Sequence, residues 1–244
     1  MVWQVYKAKP TPRNYIYLCS YINISVHFTT FTQQLKERLT NHPLPGQDAQ
    51  YIMAGENIKH KKINLSALSN YKKSAVCLLF YPKAGEVCFV LIKRPATHQY
   101  HAGQIALPGG SCDGDETYEQ TAIRELFEET GVVISQEHIT GRLTPLYIPV
   151  SNFYIQPIVA CLDTPPVFNP HTHEVVELIE YKLKDILDES IVAETTVKLI
   201  EGVKIKAPYF NVQGNVLWGA TAMLLSEVKQ LLLQNRATFA FLFH

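Results

Sequence analysis

The 244-residue chain is 47% hydrophobic and 18% charged, enough apolar content for a sizeable core and too much for a disordered chain. Its 22 basic residues balance 22 acidic ones, so no global field recruits nucleic acid or an anionic membrane, and phosphate must be recognised locally. Cys19, Cys77, Cys88, Cys112 and Cys161 stand singly; the odd count and absence of paired spacing argue against a disulfide framework or zinc site and make a reducing cytoplasm the default.

Residues 1–27 read as an irregular leader. The apolar run after Lys7, Lys9 and Arg13 loosely imitates a signal peptide, but Asn14, Ser20, Asn23, Ser25 and His27 interrupt it and no convincing cleavage site follows. No stretch reaches the roughly 18 uninterrupted apolar residues of a membrane span. Over residues 28–39, Phe28, Phe31, Leu35 and Leu39 recur at helical spacing, and Pro43, Pro45 and Gly46 end that helix. A polar stretch completes an N-terminal unit, residues 28–74, expected to pack on the main domain. Its basic cluster, Lys59, His60, Lys61 and Lys62, reads first as a solvated loop, with phosphate binding as the alternative.

The pattern then changes. Residues 75–81 and 86–92 are β-rich runs joined through Pro82, Lys83, Ala84 and Gly85, which predicts a hairpin. A short strand over 104–107 leads into Pro108-Gly109-Gly110, and a helix is predicted over 118–130. Strands are expected at 141–150, 154–162, 175–182 and 194–200, and a final helix over 220–233 carries Leu224, Leu225, Val228, Leu231 and Leu232 on one face. Trp218, just before it, reads as a core anchor. Many strands with few helices imply an α/β fold, a mixed sheet covered by helices.

Residues 110–132 hold seven acids, Asp113, Asp115, Glu116, Glu119, Glu125, Glu128 and Glu129, against one base, Arg124. Thr117 and Gln120 suit a capping box and Gly131 the position after the helix. Ala122, Ile123, Leu126 and Phe127 form the stripe expected to be buried. At about 100° per residue, Glu125, Glu128 and Glu129 share an arc of roughly 100°. Three ionised carboxylates so close repel one another, and a hard divalent cation relieves that. Arg124, a turn from Glu128, can orient it. The same residues also suit a plain solvated acidic helix, since Glu is a good helix former, so the carboxylates alone leave both readings open.

The spacing of the whole segment resembles the Nudix box. Gly110, five residues, Glu116, seven residues, then Arg124-Glu125-Leu126-Phe127-Glu128-Glu129-Thr130-Gly131-Val132 match Gly-x5-Glu-x7-Arg-Glu-U-x-Glu-Glu-x-Gly-U, U being apolar, without a departure. The resemblance implies an α/β/α sandwich over residues 75–240 with the box as loop–helix–loop. It also implies Mg²⁺- or Mn²⁺-dependent hydrolysis of a nucleoside diphosphate linked to another moiety. It makes Glu125, Glu128 and Glu129 metal ligands and Glu116 a support at the helix entrance. The base stays open; Glu174, in the loop 169–175, is one candidate, with a plain surface charge as the other reading.

The stretch before the box resembles the second motif of the coenzyme A pyrophosphatase branch through Arg94, His101, Gly103, Pro108, Gly109 and Gly110. It departs from that motif in the spacing of Lys93 and Arg94, in Pro95 for Ser, in His98 for Leu and in Leu107 for Phe. Pro43-Leu44-Pro45-Gly46 with Ala49-Gln50, and Trp218-Gly219-Ala220-Thr221-Ala222, extend the resemblance to about residues 35–235. It implies a small nucleotide substrate of coenzyme A type, with Lys93, Arg94, His101, Gly109 and Gly110 on the substrate side, and leaves a homodimer open. The alternatives are another diphosphate such as ADP-ribose and a nucleotide-sensing domain without activity.

Overall fold

A computed structural model describes residues 12–56, 63–95, 103–170, 174–198 and 202–243. In chain order the elements are helices α1 (Pro12–Asn41) and α2 (Gly46–Gln50) and strands β1 (Lys72–Lys83), β2 (Glu86–Lys93), β3 (Ile105–Ala106) and β4 (Gly109–Ser111). They continue with helix α3 (Tyr118–Thr130), strands β5 (Ile139–Arg142), β6 (Leu146–Ile148), β7 (Phe153–Cys161), β8 (Glu177–Lys182), β9 (Val192–Lys198), β10 (Lys204–Val212) and β11 (Asn215–Leu217), and helix α4 (Ala220–Gln234).

The main sheet has eight strands in the order β3-β2-β1-β7-β5, with β4 also on β1, β6 on β7 and β8 on β2. It is mixed: β1 and β7 run parallel over nine register pairs, Lys72↔Phe153 to Phe80↔Cys161, and the other pairings are antiparallel. β1 is covered on both faces, which is why it reads as a continuous apolar run. Ala75, Cys77, Leu79 and Tyr81 meet Ala122 and Leu126 of α3 on one side. Leu78 and Phe80 meet Phe28, Phe31 and Leu35 of α1 and the leucines of α4 on the other. The result is the α/β/α sandwich, a mixed sheet flanked by helices with an N-terminal helical segment. Cys77, Cys88 and Cys161 are buried free thiols.

The β1–β2 hairpin forms as its sequence predicts, but its turn is tighter. Lys83 pairs with Glu86, so Pro82 and Lys83 belong to the strand and only Ala84 (φ 50°) and Gly85 (φ 86°) turn, the two positive-φ positions a two-residue hairpin needs. Two expectations are corrected. Residues 12–27, read as irregular, belong to α1; Pro12 suits a first helical position, and no Gly or further Pro follows to break the run. Residues 204–217, for which no strand was predicted, form β10 and β11 and pair with β9 in a second, antiparallel sheet. Trp218 is half-buried, not a fully enclosed anchor. No helix among the described residues is long and apolar enough to cross a membrane.

The unit ahead of the sheet is tied down by a buried carboxylate. Glu227 of α4 accepts from Gln50 Nε2 (2.9 Å), the Gly46 amide (3.2 Å) and the Thr144 amide (3.3 Å), and neighbouring Ser226 donates to the Ala49 carbonyl at 2.6 Å. Burial raises the Glu227 carboxyl above its ordinary value, against these hydrogen bonds. The basic cluster at residues 59–62 lies outside the described residues.

Candidate active site

α3 spans the predicted residues, and its ends are chemical. Thr117 and Gln120 form the reciprocal capping box, and Gly131, at φ 74°, closes the helix by donating to the Phe127 carbonyl. A Cβ at Gly131 would run into the Asn169 carbonyl, so the glycine also lets the 169 loop close against the helix end. The buried face is Ala122, Leu126, Thr121 and Thr130 with Ile123 at its margin. Phe127, expected in that stripe, is 46% exposed; the inward position one residue past Glu128 is taken by Glu129, which is 2% exposed.

That inversion is possible because Glu129 faces the backbone of β4. Its Oε2 accepts from the Gly109 amide at 2.8 Å, and its Oε1 lies 3.2 Å from Arg94 Nη2. Arg94 also donates to the Gly109 carbonyl at 3.2 Å. Gly109 is pressed against β1, where a Cβ would overlap the Ala75 carbonyl and Val76, and a Cβ on Gly110 would overlap the Glu125 carboxylate. Both glycines are therefore demanded by close approach, one to the sheet and one to the acidic helix.

Arg124 gathers the other carboxylates. It donates through Nε and Nη2 to both oxygens of Glu116 (2.8 and 3.0 Å), and through Nη1 to Glu125 and Glu128 (2.9 Å each). Its Nη2 also reaches the Ser111 carbonyl at 3.0 Å. Glu116 accepts further from Thr121 Oγ1 (2.8 Å) and the Asp113 amide (3.0 Å). These bonds, that from Arg124 first, hold the Glu116 carboxyl down to about 2, and its pairing with Glu116 above all pushes the Arg124 guanidinium up.

The inner carboxylates behave oppositely. Burial raises Glu125 against the pull of Arg124, with Glu128 adding repulsion. Burial pushes Glu129 up to about 7 against Arg94 and the Gly109 amide, with Glu125 and Glu174 adding repulsion. Glu174 is exposed at the entry to β8, close enough for Glu129 to feel its charge. Structure thus draws Glu116, Arg124, Glu125, Glu128, Glu129, Gly109, Gly110 and Arg94 together.

Lys93 is not with them. It follows Phe89 and Leu91 on the opposite face of β2, and its Nζ lies 3.4 Å from Glu177 and 3.3 Å from Asn215. Adjacent strand residues point to opposite faces, so Lys93 and Arg94 cannot both face α3. His101 lies outside the described residues. Thr121 and the Ser111 carbonyl were not anticipated; Thr121 had a signal, the helical spacing that sets its hydroxyl beside the loop carrying Glu116.

Among the described residues, no three His, Cys, Asp or Glu side chains stand close enough together to chelate an ion as they are. The donor set nonetheless suits a hard divalent cation: carboxylate oxygens, two of them on buried groups whose ionisation burial opposes. Arg124 engages one oxygen each of Glu125 and Glu128 and leaves the second oxygen of each outside its hydrogen bonds. Glu128, 45% exposed, has the room to turn.

The carboxylate helix and the close-packed Gly-Gly loop both lie within the segment that comparison assigns to a family of hydrolases of phosphorus anhydrides. The family follows from comparison: the model of the NUDIX domain matches residues 71–198, more than half of the chain, and the chain belongs to the Nudix hydrolases. The Yersinia pestis (strain Pestoides F) protein named "Uncharacterized Nudix hydrolase NudL" is 32% identical over 143 residues, covering 58% of this chain and 71% of that protein. Among solved structures, a MutT/nudix family protein from Enterococcus faecalis is 18% identical with a TM-score of 0.48, over 71% of this chain and 66% of that one. The NUDIX domain of Shewanella oneidensis NrtR, solved with ADP ribose, is 22% identical with a TM-score of 0.41, over 54% and 86%.

Proposed function

We propose that this Nudix hydrolase is a Mg²⁺- or Mn²⁺-dependent pyrophosphohydrolase that splits coenzyme A or a derivative into 3′,5′-ADP and (acyl)phosphopantetheine. The observation that carries the hydrolytic reading is Glu129, a carboxylate buried at 2% exposure and aimed at the Gly109 amide beside Glu125. Burying an acid beside another acid opposes folding unless a cation or hydrogen bonds offset the charge, which a divalent ion would do here.

In this reading Glu125, Glu128 and Glu129 would hold the ion, and Glu116 would support them through the shared Arg124. A bound divalent ion supplies neutralisation of the diphosphate and acidification of the attacking water. The remaining work falls to the chain. Gly109 and Gly110 would bring backbone close to the phosphates, and Arg124 orients Glu125 and Glu128 through its hydrogen bonds. Glu174, exposed and electrostatically in touch with Glu129, is the candidate to take the proton from water. His101 joins the substrate side on the strength of the motif alone. Lys93 is placed on the substrate side by the motif alone, and its Nζ pairs with Glu177 and Asn215 on the other face of β2.

Coenzyme A rests on the stretch from Arg94 to Gly110, whose Arg, Gly and Pro-Gly-Gly positions resemble that branch. A panel of coenzyme A, acetyl-coenzyme A and ADP-ribose, with products identified by mass, tests it. Release of 3′,5′-ADP from the first two is expected. Turnover of ADP-ribose with coenzyme A untouched would sink the assignment and leave the metal site standing.

A further inference from the structure

We infer that Arg94 is a positioning residue for Glu129 and not the phosphate ligand its place in the motif suggests; the metal half of this inference rests on reading Glu129 as a metal ligand. Three contacts form a closed circuit. Arg94 Nη2 reaches Glu129 Oε1 and the Gly109 carbonyl, 3.2 Å each, and the Gly109 amide donates to Glu129 Oε2 at 2.8 Å.

The circuit has fixed corners. Gly109 is wedged against Ala75 and Val76 of β1, and the Arg94 amide donates to the Gln104 carbonyl at 3.0 Å, which ties the end of β2 to the strand leading into the glycines. Glu129 sits on a helix whose inner face is packed. Both carboxylate oxygens are therefore held by protein groups anchored on two different strands. Arg94 is the only cation in hydrogen-bond or ion-pair contact with Glu129 among the described residues.

Were this guanidinium to swing toward an incoming phosphate, it would uncover a carboxylate that water scarcely reaches. In the metal-free protein, stranding a buried charge in this way is strongly unfavourable. A planar guanidinium that spans a carboxylate and a carbonyl is better suited to fixing the distance between the acidic helix and the Gly-Gly loop. Arg124 does this for the outer acids; Arg94 does it for the inner one, from the opposite side.

The test uses the full chain in four variants: Arg94→Ala, Glu129→Gln, the double variant, and Arg94→Lys as the form that keeps the charge. The first readout is the thermal midpoint of substrate-free, metal-free protein. Arg94→Ala is expected to lower it, and adding Glu129→Gln is expected to recover at least half of that loss, since the stranded charge is gone. The second is Mn²⁺ affinity without substrate, expected to weaken about 10- to 100-fold in Arg94→Ala, the range for losing a group that orients a ligand.

Third, kcat is expected to fall while KM moves by less than about threefold. Arg94→Lys should keep most of the midpoint and lose part of the Mn²⁺ affinity, and it carries the test if Arg94→Ala does not fold. Additive midpoints, or a raised KM with Mn²⁺ affinity and kcat intact, would overturn the positioning role and restore Arg94 as a phosphate ligand. Failure of the wild-type protein to bind Mn²⁺ would overturn the metal reading instead, and the thermal cycle alone would then decide whether Arg94 holds Glu129.

Discussion

Two glutamates, one in the loop before α3 and one on its last turn, meet opposite fates. Glu116 is held down to about 2, above all by Arg124, and Glu129 is pushed up to about 7 by burial. Their contributions to stability therefore run in opposite directions with pH. For Glu116 the folded value lies below the ordinary 4.5, so its stabilisation is present above 4.5 and lost as pH falls through about 2. For Glu129 the folded value lies above 4.5, so the metal-free protein loses stability as pH rises from 4.5 through about 7.

Thermal midpoints between pH 5 and 8 should show that decline, flattened by Glu129→Gln and by added Mn²⁺. An unchanged slope in Glu129→Gln would contradict the assignment. Glu128 differs again: at 45% exposure, Glu128→Gln should leave the midpoint nearly unchanged while Mn²⁺ affinity falls. Calorimetric titration checks this, and loss of fold without loss of metal binding would count against a ligand role.

At the scale of elements, what was legible was what local chemistry writes. Thr117, Gln120 and Gly131 announced both ends of α3, and the run from Pro82 to Gly85 announced a hairpin, though not how tight its turn is, because caps and turns are set by the residues that form them. The carboxylate cluster was legible from helical spacing together with the box. What escaped depends on distant partners. Glu129 points inward because the Gly109 amide, twenty residues earlier, is there to receive it. Phe127 is displaced outward as a consequence. Lys93 and Arg94 look like one basic pair in sequence, but strand alternation sends them to opposite faces, a signal present in the period-two pattern.

Residues 12–27 mix polar and apolar side chains without a clear stripe, so α1 looked shorter than it is. Two substitutions test the element-level account. Gly110→Ala should leave α3 folded and abolish most turnover, because its methyl displaces the Glu125 carboxylate; circular dichroism with a rate assay separates the two. Gly131→Ala should destabilise the protein by about 1–2 kcal/mol from the left-handed backbone alone, and by more through the clash with Asn169. Denaturant midpoints read it, and a neutral result would mean that the 169 loop is not packed as described.

Over the whole molecule, the site is a seam between layers. The acidic helix covers one face of the sheet, α1 and α4 cover the other, and the glycine loop pairs with β1 beneath the acidic helix. Phe31 of α1 is fully buried and packs edge-on against Phe80 at 5.3 Å. Phe31→Ala should therefore cost about 3–5 kcal/mol, measurable by urea unfolding. A loss below 1 kcal/mol would show that α1 is not part of the cooperative unit.

The proposed reaction depends on the carboxylates of α3 holding a divalent ion against the phosphoanhydride that water attacks. Turnover of coenzyme A should be followed against Mn²⁺ concentration for the wild-type protein and Glu128→Gln, with a chelator arm. Saturable activation, silence under chelation and loss of most turnover in Glu128→Gln are expected; turnover that survives chelation, or that Glu128→Gln leaves intact, would contradict it.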